Sequence, residues 1–277
     1  MLPLFYLDDL IKTALAEDIN YLDTTTDLMI PANARTTARF VAKADGILCG
    51  VDVALRVFQL LDDSITATVY MAEGAAVHKG DFIAEFEGYT RALLKGERTA
   101  LNLLQHMSGI ATATRQAVEL VKGTHAAITD TRKTLPGMRA LQKYAVTVGG
   151  GKNHRFNLSD GAMLKDNHID AAGGIPQAVS LIRSKLGHMV KLEVETRNLD
   201  EVQQALEAGA DVIMLDNMSC SDMAKAVELV NGRSLLEASG GITAATLRSV
   251  AETGVDIISI GALTHSVTAM DISMRIG

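Results

Sequence analysis

The feature that most narrows the possible folds is a series of six short apolar runs, each delivering polar residues at its end and each followed by a helical pattern. They are AAITDTR, AMLKDN, VKLEVET, VIMLDN, LLEASGG and IISIGAL. Nearly continuous apolar strands alternating with helices build a parallel α/β sheet or barrel, because the crossover helices cover both faces of the strands. A weak internal repeat sharpens this reading. GADVIMLD, from Gly209, resembles GVDIISIG, from Gly254, and Gly232 falls almost midway. The spacings of 23 and 22 residues match one strand-helix unit, and glycine there suits the left-handed cap that ends a helix. The polar strand ends then ring one mouth, where α/β barrels place their chemistry. A complete eightfold barrel takes about 250 residues. Residues 113–277 are too few for one, so an incomplete parallel barrel is expected.

The segment before it, residues 1–112, has a different texture. An acidic helix is expected over Leu7–Asp18, then strands at TARFVAKA, ITATVYMA and DFIAEFEG separated by glycine-containing turns, which predicts an antiparallel sheet of modest size. A long helical pattern starts near Arg91, with Leu94, Leu101, Leu104 and Met107 at helical spacing, and Gly109 is expected to interrupt it. The domains therefore divide at about residue 112, with the last ten or so residues packing back on the first.

Composition narrows the function. A net charge of -7 gives no general attraction for nucleic acid or anionic membrane, so anion binding must be local. Between Asp130 and His168 seven basic residues face three acidic ones. Cys49 and Cys220 have neither metal-ligand spacing nor disulfide density, the N-terminus lacks a basic leader pattern, and no apolar run reaches membrane-spanning length. A cytoplasmic protein is the expectation.

Three constellations carry chemistry. DTRKT and GGGKNHR contribute Arg132, Lys133, His154 and Arg155, enough cations for a ligand with two carboxylates, since a guanidinium grips a carboxylate with two parallel bonds. Any one of these residues alone would read as a surface ion pair; two dense groups beside glycine runs do not. Glu193 and Glu195 are alternate residues of one strand and share a face, and Asp216 ends a later strand. Convergent carboxylates suit Mg2+ or ribose hydroxyls, or a plain ion pair in the case of Glu193. Ser239, Gly240 and Gly241, with Gly261 and Ala262, form glycine turns whose exposed N–H groups suit phosphate. Lys165 fits either a phosphate-binding cation or a Schiff-base lysine, and His168 a loop histidine.

Taken together, ERTALNLLQHMSGIAT, DTRKTLPGMRALQKYAVTVGGGKNHR, MLKDNH, LEVE, VIMLDN, SGGI and IGALTHS resemble the quinolinate phosphoribosyltransferase family, in the same order over essentially the whole chain. The resemblance implies an N-terminal α/β sandwich, an incomplete α/β barrel, Mg2+, quinolinate and phosphoribosyl pyrophosphate as substrates, and a homodimer or higher homo-oligomer serving NAD biosynthesis. It also implies that Arg98, Arg132, Lys133, His154, Arg155 and Lys165 face the dicarboxylate, with Arg98 contributed to the partner's site. Lys133 and Lys165 would also reach the phosphoribosyl substrate. Glu195 and Asp216 would stand at the metal and ribose, directly or through water, and the SGG and GA turns at the 5′-phosphate. The family commonly has another acidic residue near Arg197, and His106 is a second departure. The family's molybdenum-transport-associated relative lacks the segment matching Lys165–His168, which this chain retains. A Schiff-base aldolase and a non-catalytic anion-binding module are the competing classes.

Overall fold

The computed structural model describes residues 3–277. The chain folds as two compact units. The first takes residues up to Arg115 together with Thr134–Gly150 and Leu263–Gly277; the second takes Gln116–Lys133 and Gly151–Ala262.

The first unit contains α1 (Leu4–Asp18), α2 (Thr26–Met29), β1 (Arg35–Ala42), β2 (Gly46–Ile47), α3 (Val51–Leu61), β3 (Thr66–Val69), β4 (Ala76–Val77), β5 (Phe82–Tyr89) and most of α4 (Thr90–Leu120). The three expected strands pair antiparallel, β1 beside β5 and β5 beside β3. Their inward side chains meet α1, α3 and α4 in one apolar core centred on Phe40, Phe58 and Phe86, whose rings stand 4.7–6.0 Å apart. Gly109 does not interrupt α4. It lies inside the helix because the chain passes over it: a Cβ there would come within 2.2 Å of the Thr268 carbonyl oxygen. The glycine serves close packing rather than a break.

After β6 (Ala127–Thr129) in the second unit comes α5 (Arg139–Gly149), which lies in the stretch expected to be barrel but folds with the first unit. The reason is its apolar stripe: Leu141, Ala145 and Val146 belong to the same core as Phe58 and Phe86. Arg139 and Lys143, counted above in the basic window, leave with it.

The second unit continues with β7 (Ala162–Leu164), α6 (Asp166–Ala172), α7 (Ile175–Arg183), β8 (Leu192–Thr196), α8 (Leu199–Glu207), β9 (Val212–Asp216), α9 (Cys220–Val230), β10 (Leu235–Ser239), α10 (Ala244–Ala251) and β11 (Ile257–Ser259). All six strands are parallel, in the order β6-β11-β10-β9-β8-β7. The sheet does not close, as expected of an incomplete barrel. Gly209, Gly232 and Gly254 all have positive φ just after α8, α9 and α10, so the repeat is a repeated helix ending. The aspartate two places after Gly209 and after Gly254 has a second role. Asp211 accepts the backbone N–H of Leu192 at 2.7 Å, and Asp256 that of Leu236 at 2.7 Å, so each repeat fastens the start of a neighbouring strand.

Last come α11 (Ala262–His265) and β12 (Ile272–Ile276), which pairs antiparallel with β1 at the edge of the first unit's sheet. Among the described residues no helix is long and apolar enough to cross a membrane.

Candidate active site

Strand alternation decides what the barrel mouth contains. Along β8, β9 and β10, Leu192, Val194, Ile213, Leu215, Leu236 and Ala238 are buried on one side. The intervening Glu195, Met214, Asp216, Glu237 and Ser239 line a cavity of about 630 Å³. The pairing register sets Glu195 beside Met214, Glu237 beside Met214 and Ser239 beside Asp216. Polar groups from three strands, joined by Ser259 of β11, thus reach one space at the strand C-termini.

Arg132, Lys133, His154 and Arg155 line the same space. The GGGKNHR stretch gets there by running alongside β6: Lys152 bridges Thr129 in parallel register, and its N–H donates to the Ile128 carbonyl at 2.8 Å. Fully buried Asp130 then accepts the His154 N–H at 2.8 Å, which turns the chain toward the mouth. The guanidinium of Arg155 donates to the Gly161 carbonyl at 3.1 Å and lies 3.2 Å from the Met163 sulfur. Burial, and then the neighbouring Arg132 charge, hold its pKa below the ordinary arginine value. Two guanidiniums that repel each other in a partly dry cavity are stabilised by an anion between them.

His154 stands differently from the free cation expected of it. Its Nε2 lies 3.2 Å from Glu193 and 3.4 Å from Glu237, carboxylates only 7% and 2% exposed. Burial disfavours charge on the ring, but the two carboxylates outweigh it and draw its pKa up to about 10. Against that, Nδ1 accepts the Arg155 backbone N–H at 2.8 Å, a bond an imidazolium would have to give up. As placed, the ring carries its proton on Nε2. The same bond argues against a metal held by His154, Glu193 and Glu237, whose ligand atoms lie within 4.8 Å of one another, because a protonated Nε2 has no lone pair to offer. Burial raises the Glu193 pKa; the bond to His154 opposes that, and the charge of Glu237 adds to it.

Glu195 and Asp216 form the other acidic pair. Burial raises the Glu195 pKa; Lys165, its Nζ 3.8 Å away, opposes that, and Asp216 adds to it. Two carboxylates sensing each other at an open mouth have the hard oxygen chemistry of a Mg2+ site completed by water and phosphate. Lys165 is half-exposed, with 51% of its side chain accessible, whereas a Schiff-base lysine needs desolvation or a neighbouring cation. His168 caps α6 locally, its Nδ1 accepting the Lys165 N–H.

At the remaining strand ends, Ser239, Gly240 and Gly241 line the cavity, and Ser259 Oγ donates to Ser239 Oγ at 3.0 Å. Gly261 and Ala262 follow β11 and are not in that lining. Arg98 is exposed on α4 in the first unit. Glu237, Asn217 and Ser259 also line the cavity and lie inside the runs LLEASGG, VIMLDN and IISIGAL without being singled out as site residues. Glu237 and Ser259 are traceable through strand period, being two residues before Ser239 and two before Gly261.

Family models match both parts of the chain: the quinolinate phosphoribosyl transferase N-terminal domain over residues 23–108 and its C-terminal domain over 110–275. A probable nicotinate-nucleotide pyrophosphorylase [carboxylating] of Bacillus subtilis is 45% identical over 270 residues, covering 98% of this chain and 93% of the relative. A quinolinate phosphoribosyltransferase [decarboxylating] of Nicotiana tabacum is 42% identical, covering 99% and 83%. The crystal structure of NadC from Streptococcus pyogenes superimposes with a TM-score of 0.97 at 41% identity, covering 100% of this chain and 98% of that one.

Proposed function

The chain belongs to the quinolinate phosphoribosyltransferase family, and from that premise we propose how its residues divide the reaction. The enzyme converts quinolinate and phosphoribosyl pyrophosphate into nicotinate mononucleotide, pyrophosphate and CO2, a step of NAD biosynthesis.

Arg132 and Arg155 grip the carboxylate that is retained, and Lys133 and Lys165 add point charge for the second carboxylate and the phosphates. His154, fixed by Glu193 and Glu237, shapes the floor beneath them. Glu195 and Asp216 hold Mg2+, directly or through water, or meet the ribose hydroxyls; the ion would supply charge neutralisation for the departing pyrophosphate. The Ser239–Gly241 turn, with Gly261 and Ala262, offers N–H groups to the 5′-phosphate. Once the pyridine nitrogen has attacked C1′ and pyrophosphate has left, the nitrogen is cationic; its charge then stabilises the electron pair that stays on the adjacent ring carbon when CO2 departs, and that carbanion takes up a proton from water. Transfer therefore precedes decarboxylation. The observation that carries the assignment is the convergence of Arg132, Lys133, His154 and Arg155 on the same cavity that Glu195, Asp216 and the Ser239–Gly241 turn line.

The enzyme acts in the cytoplasm as a homodimer or larger homo-oligomer in which Arg98 completes the partner's pocket. The family likeness supports this, as does the placement of Arg98, exposed on a long helix of the first unit. Pyrophosphate release with quinolinate, nicotinate and nicotinamide, each with and without Mg2+, tests the reading. Quinolinate with Mg2+ should be strongly preferred, because a ligand with one carboxylate leaves a desolvated cation unpaired at about 2–5 kcal/mol. Comparable efficiency on nicotinate would overturn the dicarboxylate assignment, and full activity in chelator the metal assignment.

A further inference from the structure

Asn217 lies immediately after β9, and it and Asn231 are the non-glycine residues with positive φ among those described, at 54° and 45°. Asn231 caps α9, an ordinary place for a left-handed asparagine. Asn217 caps no helix. Its conformation has a different consequence: consecutive residues of an extended strand point to opposite faces, yet Asp216 and Asn217 both line the cavity. The left-handed turn at Asn217 returns its side chain to the side that Asp216 occupies.

There the amide is held at one end and confined at the other. Nδ2 donates to Asp216 Oδ2 at 2.8 Å, and the backbone N–H donates to the Ser239 carbonyl at 2.9 Å. The carbonyl end abuts Gly240, where a Cβ would lie 2.3 Å from Asn217 Oδ1. Gly240 thus needs to be glycine twice over, for its φ of 91° and for the room that Asn217 takes. Asp216 also needs restraint, because it and Glu195 repel each other across the mouth, and an unheld carboxylate would turn toward solvent.

We infer that Asn217 is a positioning residue. Its side chain fixes the Asp216 carboxylate against the Ser239–Gly241 turn, and so sets the separation between the ribose-metal end and the 5′-phosphate end of the phosphoribosyl substrate. This rests on the roles given above to Asp216 and the turn.

Asn217→Gly separates side chain from backbone, since glycine keeps the left-handed conformation and loses the amide. Asn217→Asp keeps the shape and loses the donor. Both are to be measured in the full-length enzyme by steady-state kinetics in each substrate, and by calorimetric titration with phosphoribosyl pyrophosphate in the absence of quinolinate. Asp216→Asn serves as the reference. Loss of a hydrogen bond to a charged group predicts a rise of about 10- to 100-fold in KM and Kd for phosphoribosyl pyrophosphate in both variants. The KM for quinolinate should stay within about twofold of its original value, these being contacts away from the guanidinium pair, and the melting temperature of Asn217→Gly should be close to that of the parent. A glycine variant that binds phosphoribosyl pyrophosphate like the parent, while Asp216→Asn does not, overturns the inference and leaves Asn217 a mere turn residue. Unchanged binding in Asp216→Asn overturns the reading of Asp216 itself, and the inference with it.

Discussion

Arg155 shows how little of a residue's role lies in its charge alone. Its fork is already committed on one side to the Gly161 carbonyl and the Met163 sulfur, which aims the remaining edge and keeps it beside Arg132. Lysine would retain the charge but not the fork. Arg155→Lys should therefore lower kcat/KM for quinolinate about 100-fold, with little effect on KM for phosphoribosyl pyrophosphate; a change of less than threefold would show that charge suffices. Glu237 makes the opposite case. It and Glu193 crowd one protonated nitrogen, and its charge adds to the rise in the Glu193 pKa. Glu237→Gln keeps an acceptor for His154 and removes the like-charge contact, so thermal melting should be unchanged or higher. A fall of more than about 5 °C, roughly a kcal/mol or more for a domain of this size, would mean that both charges are needed.

At the scale of elements, two copies of the internal repeat fasten a neighbouring strand through an aspartate, Asp211 for β8 and Asp256 for β10. Asp211 accepts the Leu192 N–H and pairs with Arg183. Burial acts to raise its pKa, but these partners prevail and hold it below the usual carboxylate range. A depressed pKa contributes stability above the unfolded value of about 3.9 and loses it as pH falls through the lower folded value. Asp211→Asn should cost about 1–2 kcal/mol at neutral pH, the low end for a charged hydrogen bond, because the carboxylate is about a third exposed. Urea unfolding at pH 7 and below pH 4 checks this: the gap between parent and variant should narrow in acid. A gap independent of pH would assign the loss to packing instead of charge.

At the scale of the whole molecule, the proposed sharing of pockets between subunits has a direct test. Arg98 belongs to the first unit, whereas Lys133 belongs to the second. If Arg98 serves the partner's site, a mixed dimer of Arg98→Ala and Lys133→Ala has one pocket with both defects and one with neither. Mixing the two inactive variants under conditions of subunit exchange should restore activity towards one native site per heterodimer. Heterodimers that form and remain inactive would show that each chain builds its own pocket.

Much of this was legible from residue order, because strand and helix periods are local properties. The six parallel strands, the glycine-ended helices and the gathering of the strand ends in DTRK, LEVE and SGG at one mouth follow from alternation and spacing, whereas GGGKNHR reaches that mouth only through its contacts with β6 and Asp130. What tertiary structure decided concerns groups distant in sequence. Gly109 reads locally as a helix break and is a packing contact, since the chain segment above it lies about 160 residues away. The helix α5 sits within the barrel's stretch of sequence yet folds with the first unit, because burial follows the apolar stripe and not chain order. His154 reads as a cation for a ligand, and what the sequence does not reveal is its pairing with Glu193 and Glu237, which only the packing of β8 and β10 against the GGGKNHR stretch brings to its ring.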